Sequence, residues 1–348
     1  MTRIVYILFF LLAGNPLFAQ ETSPNIIFMI GDGTGLSQIT AGMYANGNKT
    51  ALEGFEVIGL SKTHSANNLV TDSAASGTAM ACGVKTFNGV IGINLKNQNT
   101  PSILEIASEK GYVSGLIATS SIVHATPASF YAKVTSRKKY EEIARQLSES
   151  EVDFFIGGGK KHFVKREDKR NILDEMESFE FVSRLSEFEK STSNKLGLFT
   201  NMDEPLPIAE GRKPALNDAL SAMLNKLDSQ PSPFFLMVEG SQIDWGGHAN
   251  DLNYILTEFR DFDRAIAVAL EYIKKNPNTL LVVTADHETG GLGIDSGNIK
   301  NFKPRGGFVT RGHTASMVPV FAIGIGAKKY SGIYDNTAIF SKMKEVLE

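Results

Sequence analysis

Pro24-Asn25-Ile26-Ile27-Phe28-Met29-Ile30-Gly31-Asp32-Gly33-Thr34-Gly35 is the stretch on which the fold turns. A short apolar run of this kind reads as a strand buried on both faces, as in a parallel sheet. The glycines mark the turn at its carboxyl end. Residues 36–44 then have helical composition. The same order recurs down the chain. Residues 113–119 read as a strand after a helix over 102–110. Residues 153–156 run into Gly157-Gly158-Gly159, 233–238 into Glu239-Gly240, and 280–284 into Ala285-Asp286-His287. Residues 318–325 read as a closing strand, and helical patterns fill 216–226, 253–274 and 337–347. This alternation predicts an α/β fold: a doubly wound, mostly parallel sheet with helices on both faces. The charge-rich stretch 160–171 reads as a surface excursion, and 295–305, poor in apolar residues, as a loop. Neither divides the chain, so residues 20–348 are expected to form one domain.

Composition excludes several function classes. A net charge of -3 argues against a nucleic-acid partner, which calls for a basic face. One cysteine, Cys82, leaves no intrachain disulfide and no multi-thiolate metal site. Within Ala79-Met80-Ala81-Cys82-Gly83 it reads as a small buried residue. The first residues have the order of a secretory signal: Arg3, the apolar stretch 4–12, a break at Asn15-Pro16, and Leu17-Phe18-Ala19 before Gln20. Residues 1–19 are therefore expected to be a signal peptide and the protein to be exported, periplasmic or secreted. The apolar run falls short of the ~20 residues of a membrane span, and no membrane span is expected in the mature chain.

Leu69-Val70-Thr71-Asp72-Ser73-Ala74-Ala75-Ser76-Gly77-Thr78 places Ser73 beside a carboxylate, ahead of small residues that can open a helix. Thr71 can serve as its N-cap. Ser73 would then sit near a helix N-terminus, where N–H groups and the dipole favour an anionic substrate. Ser76 is the rival hydroxyl, about one helical turn deeper. The strand ends carry Asp32, Glu239, Asp286 and His287; Asp244 and His248 follow four apart, and His313 precedes the last strand. In open α/β sheets, ligands bind outside the carboxyl ends of strands. Singly, these residues read as turn formers, caps or a helical surface pair. Of only six histidines, however, His248, His287 and His313 all stand next to Gly or Asp at such positions. Asp and His donors suit zinc, and oxygen donors suit magnesium. His64 and His162 belong to no motif and read as structural or surface residues.

Together with Gly31-Asp32-Gly33 and Thr71-Asp72-Ser73-Ala74-Ala75-Ser76, five further motifs complete a pattern. They are His124-Ala125-Thr126-Pro127-Ala128, Thr135-Ser136-Arg137, Glu239-Gly240-Ser241-Gln242-Ile243-Asp244-Trp245-Gly246-Gly247-His248, Thr284-Ala285-Asp286-His287-Glu288-Thr289-Gly290-Gly291 and Gly312-His313-Thr314. The series resembles the successive motifs of alkaline phosphatases, in the family's order and across nearly the whole mature chain. The resemblance implies metal-dependent hydrolysis of small phosphate monoesters, over a broad substrate range, through a phosphoserine at Ser73. It implies two zinc ions and one magnesium as cofactors. Asp244, His248 and His313 match the ligands of the first zinc. Asp32, Asp286 and His287 match those of the second, with Ser73 at its open position. Asp32 would bridge to the third site, where Glu239 and Thr126 match ligands. Arg137 matches the arginine that clamps the substrate phosphate, with Asp72 orienting it or capping the turn. A homodimer is likewise implied only by the resemblance.

Two positions depart from the commonest family pattern: His124 stands where many members have Asp, and Trp245 where they have Lys. His124 removes negative charge near the third site, so weaker or less selective magnesium binding is expected there, with His124 as a ligand or a neighbour of that site. Trp245, at a substrate-binding position, cannot supply the cation that Lys would place near the phosphate, so product phosphate should be held less tightly. The rival readings are another enzyme of the same superfamily, such as a phosphodiesterase, sulfatase or phosphomutase, and an exported protein that only binds zinc or phosphate. A sulfatase would need a Cys/Ser-x-Pro-x-Arg signature, which Ser73-Ala74-Ala75 lacks. A pure binding protein would have no need of Ser73.

Overall fold

The computed structural model describes residues 23–348, so the expected signal peptide over 1–19 lies outside the described residues. The strands, in chain order, are β1 (Asn25–Gly31), β2 (Val57–Lys62), β3 (Val113–Ser121), β4 (Phe154–Gly158), β5 (Glu180–Val182), β6 (Leu196–Phe199) and β7 (Phe234–Gly240). There follow β8 (Thr279–Thr284), β9 (Glu288–Thr289), β10 (Leu292–Asn298), β11 (Lys303–Phe308), β12 (His313–Thr314), β13 (Val318–Gly324) and β14 (Gly332–Asp335). Ten strands form one sheet in the order β14-β2-β13-β8-β1-β7-β3-β4-β6-β5. Neighbours run parallel except where β13 lies antiparallel to β2 and β8.

β1 lies near the middle of the sheet and shows why the layers form. Ile26, Phe28 and Ile30 face one apolar layer, and Ile27 and Met29 face the other. All five are fully buried, and each such side chain stabilises the fold by about 1.5–3 kcal/mol. The first layer is completed by helices Ser73–Cys82, Ile103–Glu109, Tyr140–Ser148 and Thr337–Leu347, the second by helices Leu216–Asp228 and Leu252–Lys275. The doubly wound, mostly parallel α/β arrangement is thus the one the strand–turn–helix repeats predict.

Three features differ from the sequence reading. Residues 295–305 are not a loop, because β10 and β11 pair there as an antiparallel hairpin. Its outer residues are polar and exposed, so no apolar alternation betrays it. The edge strands β5 and β14, and β6 beside β5, are three or four residues long, too short for periodicity to show. The N-cap of helix Ser73–Cys82 is Asp72 rather than Thr71: Ala75 N–H donates to Asp72 Oδ1 at 3.0 Å.

Beneath the second layer, Arg212 is buried and donates from Nη1 and Nη2 to Glu258 (3.1 and 2.7 Å) and from Nη2 to Asp261 (2.7 Å). Truncating the cation leaves two buried carboxylates without it, and removing one partner of such a cluster costs about 3–5 kcal/mol. Arg212→Ala is expected to lower unfolding free energy by that amount in denaturant titration. A change below about 1 kcal/mol, the size of a surface pair, would contradict this.

Candidate active site

Four adjacent strands, β8-β1-β7-β3, deliver the site at their carboxyl ends. β1 is followed directly by Asp32, β7 carries Glu239 next to its last residue with Asp244 and His248 on the following helix Gln242–Ala249, β8 is followed within three residues by Asp286 and His287, and β3 ends just before His124 and Thr126. Tight backbone approach makes this convergence work. Gly33 has φ +72°, and a Cβ there would lie 2.6 Å from Asp244 Cα, so only glycine lets β1's turn close on the helix. His313 is brought in by the two-residue β9–β12 pairing, which sets it opposite Thr289.

Ser73 is the first residue of its helix and is buried, with Oγ 3.3 Å from His287 Nε2. Asp72 anchors this corner. Its Oδ2 accepts from Gly89 N–H (3.0 Å) and from Arg137 Nη1 (3.1 Å). Arg137 Nη2 approaches His124 Nε2 at 3.4 Å. His124 stands edge-on to the half-buried Trp245, ring centroids 6.3 Å apart. Ser76 turns away: its Oγ donates to Asp286 O (2.7 Å) and accepts from Asn336 Nδ2 (3.2 Å). His64 meets Asp335 at 3.1 Å, and the His162 ring lies tilted against Tyr140, centroids 4.9 Å apart. Cys82 is buried, and burial pushes its thiol up to about 12.

Three groups of donors come together. Ligand atoms of Asp244, His248 and His313 lie within 4.8 Å of one another, as do those of Asp32, His124 and Glu239, and those of Asp32, Asp244 and His287. Asp286 Oδ2 is 3.1 Å from His287 Nε2, and Thr126 Oγ1 is 3.5 Å from Asp32 Oδ2. The histidines share one orientation. His248 Nδ1–H donates to Arg311 O (2.5 Å) and His313 Nδ1–H to Thr71 O (2.8 Å). Each therefore turns Nε2 toward Asp244 (3.3 and 3.5 Å). A carbonyl on Nδ1–H fixes the tautomer that leaves Nε2 free to bind a metal.

The electrostatics point the same way. Asp32, Glu239, Asp244 and Asp286 are all buried, and Asp32 Oδ1, Glu239 Oε1 and Asp286 Oδ2 have no hydrogen-bond partner among the described residues. Burial first, then the Asp286, Asp244 and Glu239 carboxylates, push Asp32 well above the usual carboxylate range, and burial raises Glu239 to about 7. Burial and then Arg137 lower His124 to about 4, so its imidazole is neutral. The Asp244 carboxylate holds His248 up to about 9. Crowding anions out of water costs several kcal/mol per ion unless cations meet them. An Asp/Glu/His donor set with orphaned oxygens fits divalent metals.

Sequence reasoning missed three hydroxyls here. Ser241 Oγ donates to Glu239 Oε2 at 2.6 Å and lies 3.0 Å from Ser120 Oγ, itself 3.3 Å from the same oxygen. Thr289 Oγ1 lies between Asp244 and His287. Ser241 and Thr289 stand inside quoted motifs, but a serine or threonine near a carboxylate in sequence carries no signal until the fold supplies its partners.

The sequence model of the alkaline phosphatase family matches residues 23–305. Alkaline phosphatase 3 of Bacillus subtilis is 38% identical over 302 residues, 81% of this chain and 65% of its own length. This chain thus spans just under two thirds of that relative. The alkaline phosphatase of Escherichia coli is 31% identical over 94% of this chain and 87% of its own. Among solved structures, the alkaline phosphatase from the Antarctic bacterium TAB5 is 40% identical with a TM-score of 0.88, covering 94% of this chain and 98% of that one. A His-to-Asp mutant of the TAB5 enzyme has magnesium bound in its M3 site.

Proposed function

Because this chain belongs to the alkaline phosphatase family, we propose that it hydrolyses phosphate monoesters to an alcohol and inorganic phosphate through a phosphoserine at Ser73. The observation that carries this reading is four buried carboxylates and three histidines gathered around one serine hydroxyl, with a guanidinium beside it. Asp244, His248 and His313 would hold one zinc, and Asp32, Asp286 and His287 a second beside Ser73. Asp32, Thr126 and Glu239 would hold a magnesium, with His124 next to it. Bound there, divalent cations supply Lewis-acid stabilisation of the oxygens entering and leaving phosphorus.

The chain's own groups do the rest. Asp72 and His124 engage one N–H on each terminal nitrogen of Arg137. A guanidinium has five, so donors remain to fork onto two phosphate oxygens, orienting the phosphoryl group and offsetting its charge. The N-terminus of helix Ser73–Cys82 adds a smaller positive field. Ser73 Oγ attacks phosphorus in line and the alcohol leaves. Water then cleaves the phosphoserine, releasing phosphate and restoring the hydroxyl. Recognition falls on the phosphoryl group rather than the alcohol, which fits a broad substrate range. Kinetics with an aryl phosphate monoester, a diester and a sulfate ester side by side test the reading. Turnover of the monoester well above the others is expected. Preference for either of the others, or zinc binding with no turnover at all, would contradict it.

Two residues set this chain's character. A neutral His124 beside the third site should leave magnesium held about tenfold or more weakly than in a His124→Asp variant, since hard magnesium prefers oxygen donors. The magnesium in the TAB5 His-to-Asp mutant supports the comparison. Calorimetric titration of both proteins checks it, and equal affinities would count against it. Trp245→Lys should strengthen product inhibition by phosphate, because the ammonium adds a cation near the bound anion. Inhibition unchanged by the substitution would sink that role. The reading extends to export directed by residues 1–19, a single catalytic domain over 20–348 and a homodimer. N-terminal sequencing of the exported protein and light scattering test these: an uncleaved or retained chain, or a monomer, would refute them. Among the described residues no helix is long and apolar enough to cross a membrane.

A further inference from the structure

An imidazole that presents Nε2 to a metal needs an acceptor for its Nδ1–H. For His248 and His313 that acceptor is a backbone carbonyl. For His287 it is a side chain, Thr289 Oγ1 at 3.2 Å. The Thr289 hydroxyl has a single hydrogen, and Asp244 Oδ1 lies 2.5 Å away to accept it. A carboxylate can only accept, so both bonds have a fixed direction: His287 Nδ1–H donates to Thr289 Oγ1, and Thr289 Oγ1–H donates to Asp244. A carbonyl in this place could serve His287 but not Asp244, since it has no hydrogen to give.

Thr289 is held for the task from every side. It is fully buried. Its N–H donates to Gly33 O (3.1 Å), its carbonyl accepts from Gln38 Nε2 (2.8 Å), and it pairs with His313 across β9 and β12. A Cβ at Gly33 or at Gly247 would come within 2.8 Å of Thr289 Oγ1 or Cγ2 respectively. Those two glycines therefore leave the side chain just the room it occupies.

We infer that Thr289 is a positioning residue that joins the two zinc sites, one hydroxyl fixing the tautomer of His287 in one and the carboxylate of Asp244 in the other. The inference rests on the zinc reading above. It gives the two sites a shared support that neither the carbonyl-anchored His248 nor His313 supplies, and it predicts that loss of one oxygen atom is felt at both metals.

The test is zinc affinity of the metal-free, full mature chain, measured by competition with a chromophoric chelator for wild type, Thr289→Val and Thr289→Ser. Losing an outer partner of a metal ligand typically costs about 10–100-fold in affinity, and Thr289→Val should lose that much at both zinc positions. Thr289→Ser keeps the hydroxyl and should stay close to wild type. Thr289→Ala is the parallel variant should the valine chain fail to fold. Unchanged affinity in the hydroxyl-free variants, loss at one position only, or an equal loss in Thr289→Ser would each overturn the inference. The zinc reading fails differently: the wild-type chain itself would then take up no zinc, and the inference would fall with it.

Discussion

Replacing Ser73 by alanine is expected to lower turnover of an aryl phosphate monoester by on the order of 10⁴-fold, or about 5.5 kcal/mol of transition-state stabilisation. Nothing nearby can take over. Ser76 Oγ is engaged by Asp286 O and Asn336 Nδ2, and Thr126 Oγ1 lies against Asp32. The loss should appear in kcat rather than in folding. Asp72, not Ser73, caps the helix, and alanine is at least as good a helix former as serine. Arg137 keeps its partners Asp72 and His124, so substrate affinity should change far less than turnover. Parallel measurement of kcat, KM and thermal unfolding separates these effects. A variant with wild-type kcat would remove Ser73 from the chemistry, and one that is inactive because it is unfolded would refute the capping assignment.

Removing the metals should abolish activity altogether, with zinc and magnesium restoring it. The reason is electrostatic. Four carboxylates are buried together, and the effect of burial and mutual repulsion on Asp32 and Glu239 shows how poorly the chain alone accommodates them. Metal binding only to the folded form adds stability by mass action, about 4 kcal/mol at a thousandfold excess over Kd. Chelation should therefore lower Tm as well as activity. The process is linked to pH with a definite sign. In the metal-free molecule the Asp244 carboxylate holds His248 up to about 9, so His248 is protonated at neutral pH and must give up a proton to bind metal. Zinc affinity should then fall as pH falls, by about tenfold per pH unit for each proton displaced. Activity retained in excess chelator, or zinc affinity that rises in acid, would contradict this account.

Much of this was open to reading from the chain. The apolar runs ending in Gly31-Asp32-Gly33, Glu239-Gly240 and Asp286-His287 identify both the strands and the ends where the donors gather, because a strand buried on both faces leaves a continuous apolar signature. Asp72 was legible as a partner for Arg137, and the structure gives it that bond and the helix cap together. The hairpin β10–β11 was not legible, since it rests on backbone pairing between mostly polar residues. Nor were Ser120, Ser241 and Thr289. Ser120 and Ser241 stand 121 residues apart in the chain, and Thr289 is 45 from Asp244. What such a hydroxyl does is decided by sheet order, which brings β3 beside β7 and β8 within one strand of it. The same holds for His124: its type was noticed, but its contacts with Arg137 and Trp245 belong to the fold.

Turnover by the proposed route passes through a covalent phosphoryl group on Ser73. Rapid acid quenching of the metal-loaded protein during turnover of a radiolabelled phosphate monoester, followed by peptide mapping, tests it directly. The label should be found on Ser73, in the peptide containing Thr71-Asp72-Ser73-Ala74, and should disappear with Ser73→Ala. Full turnover with no trapped label, or with the label on another residue, would contradict the account.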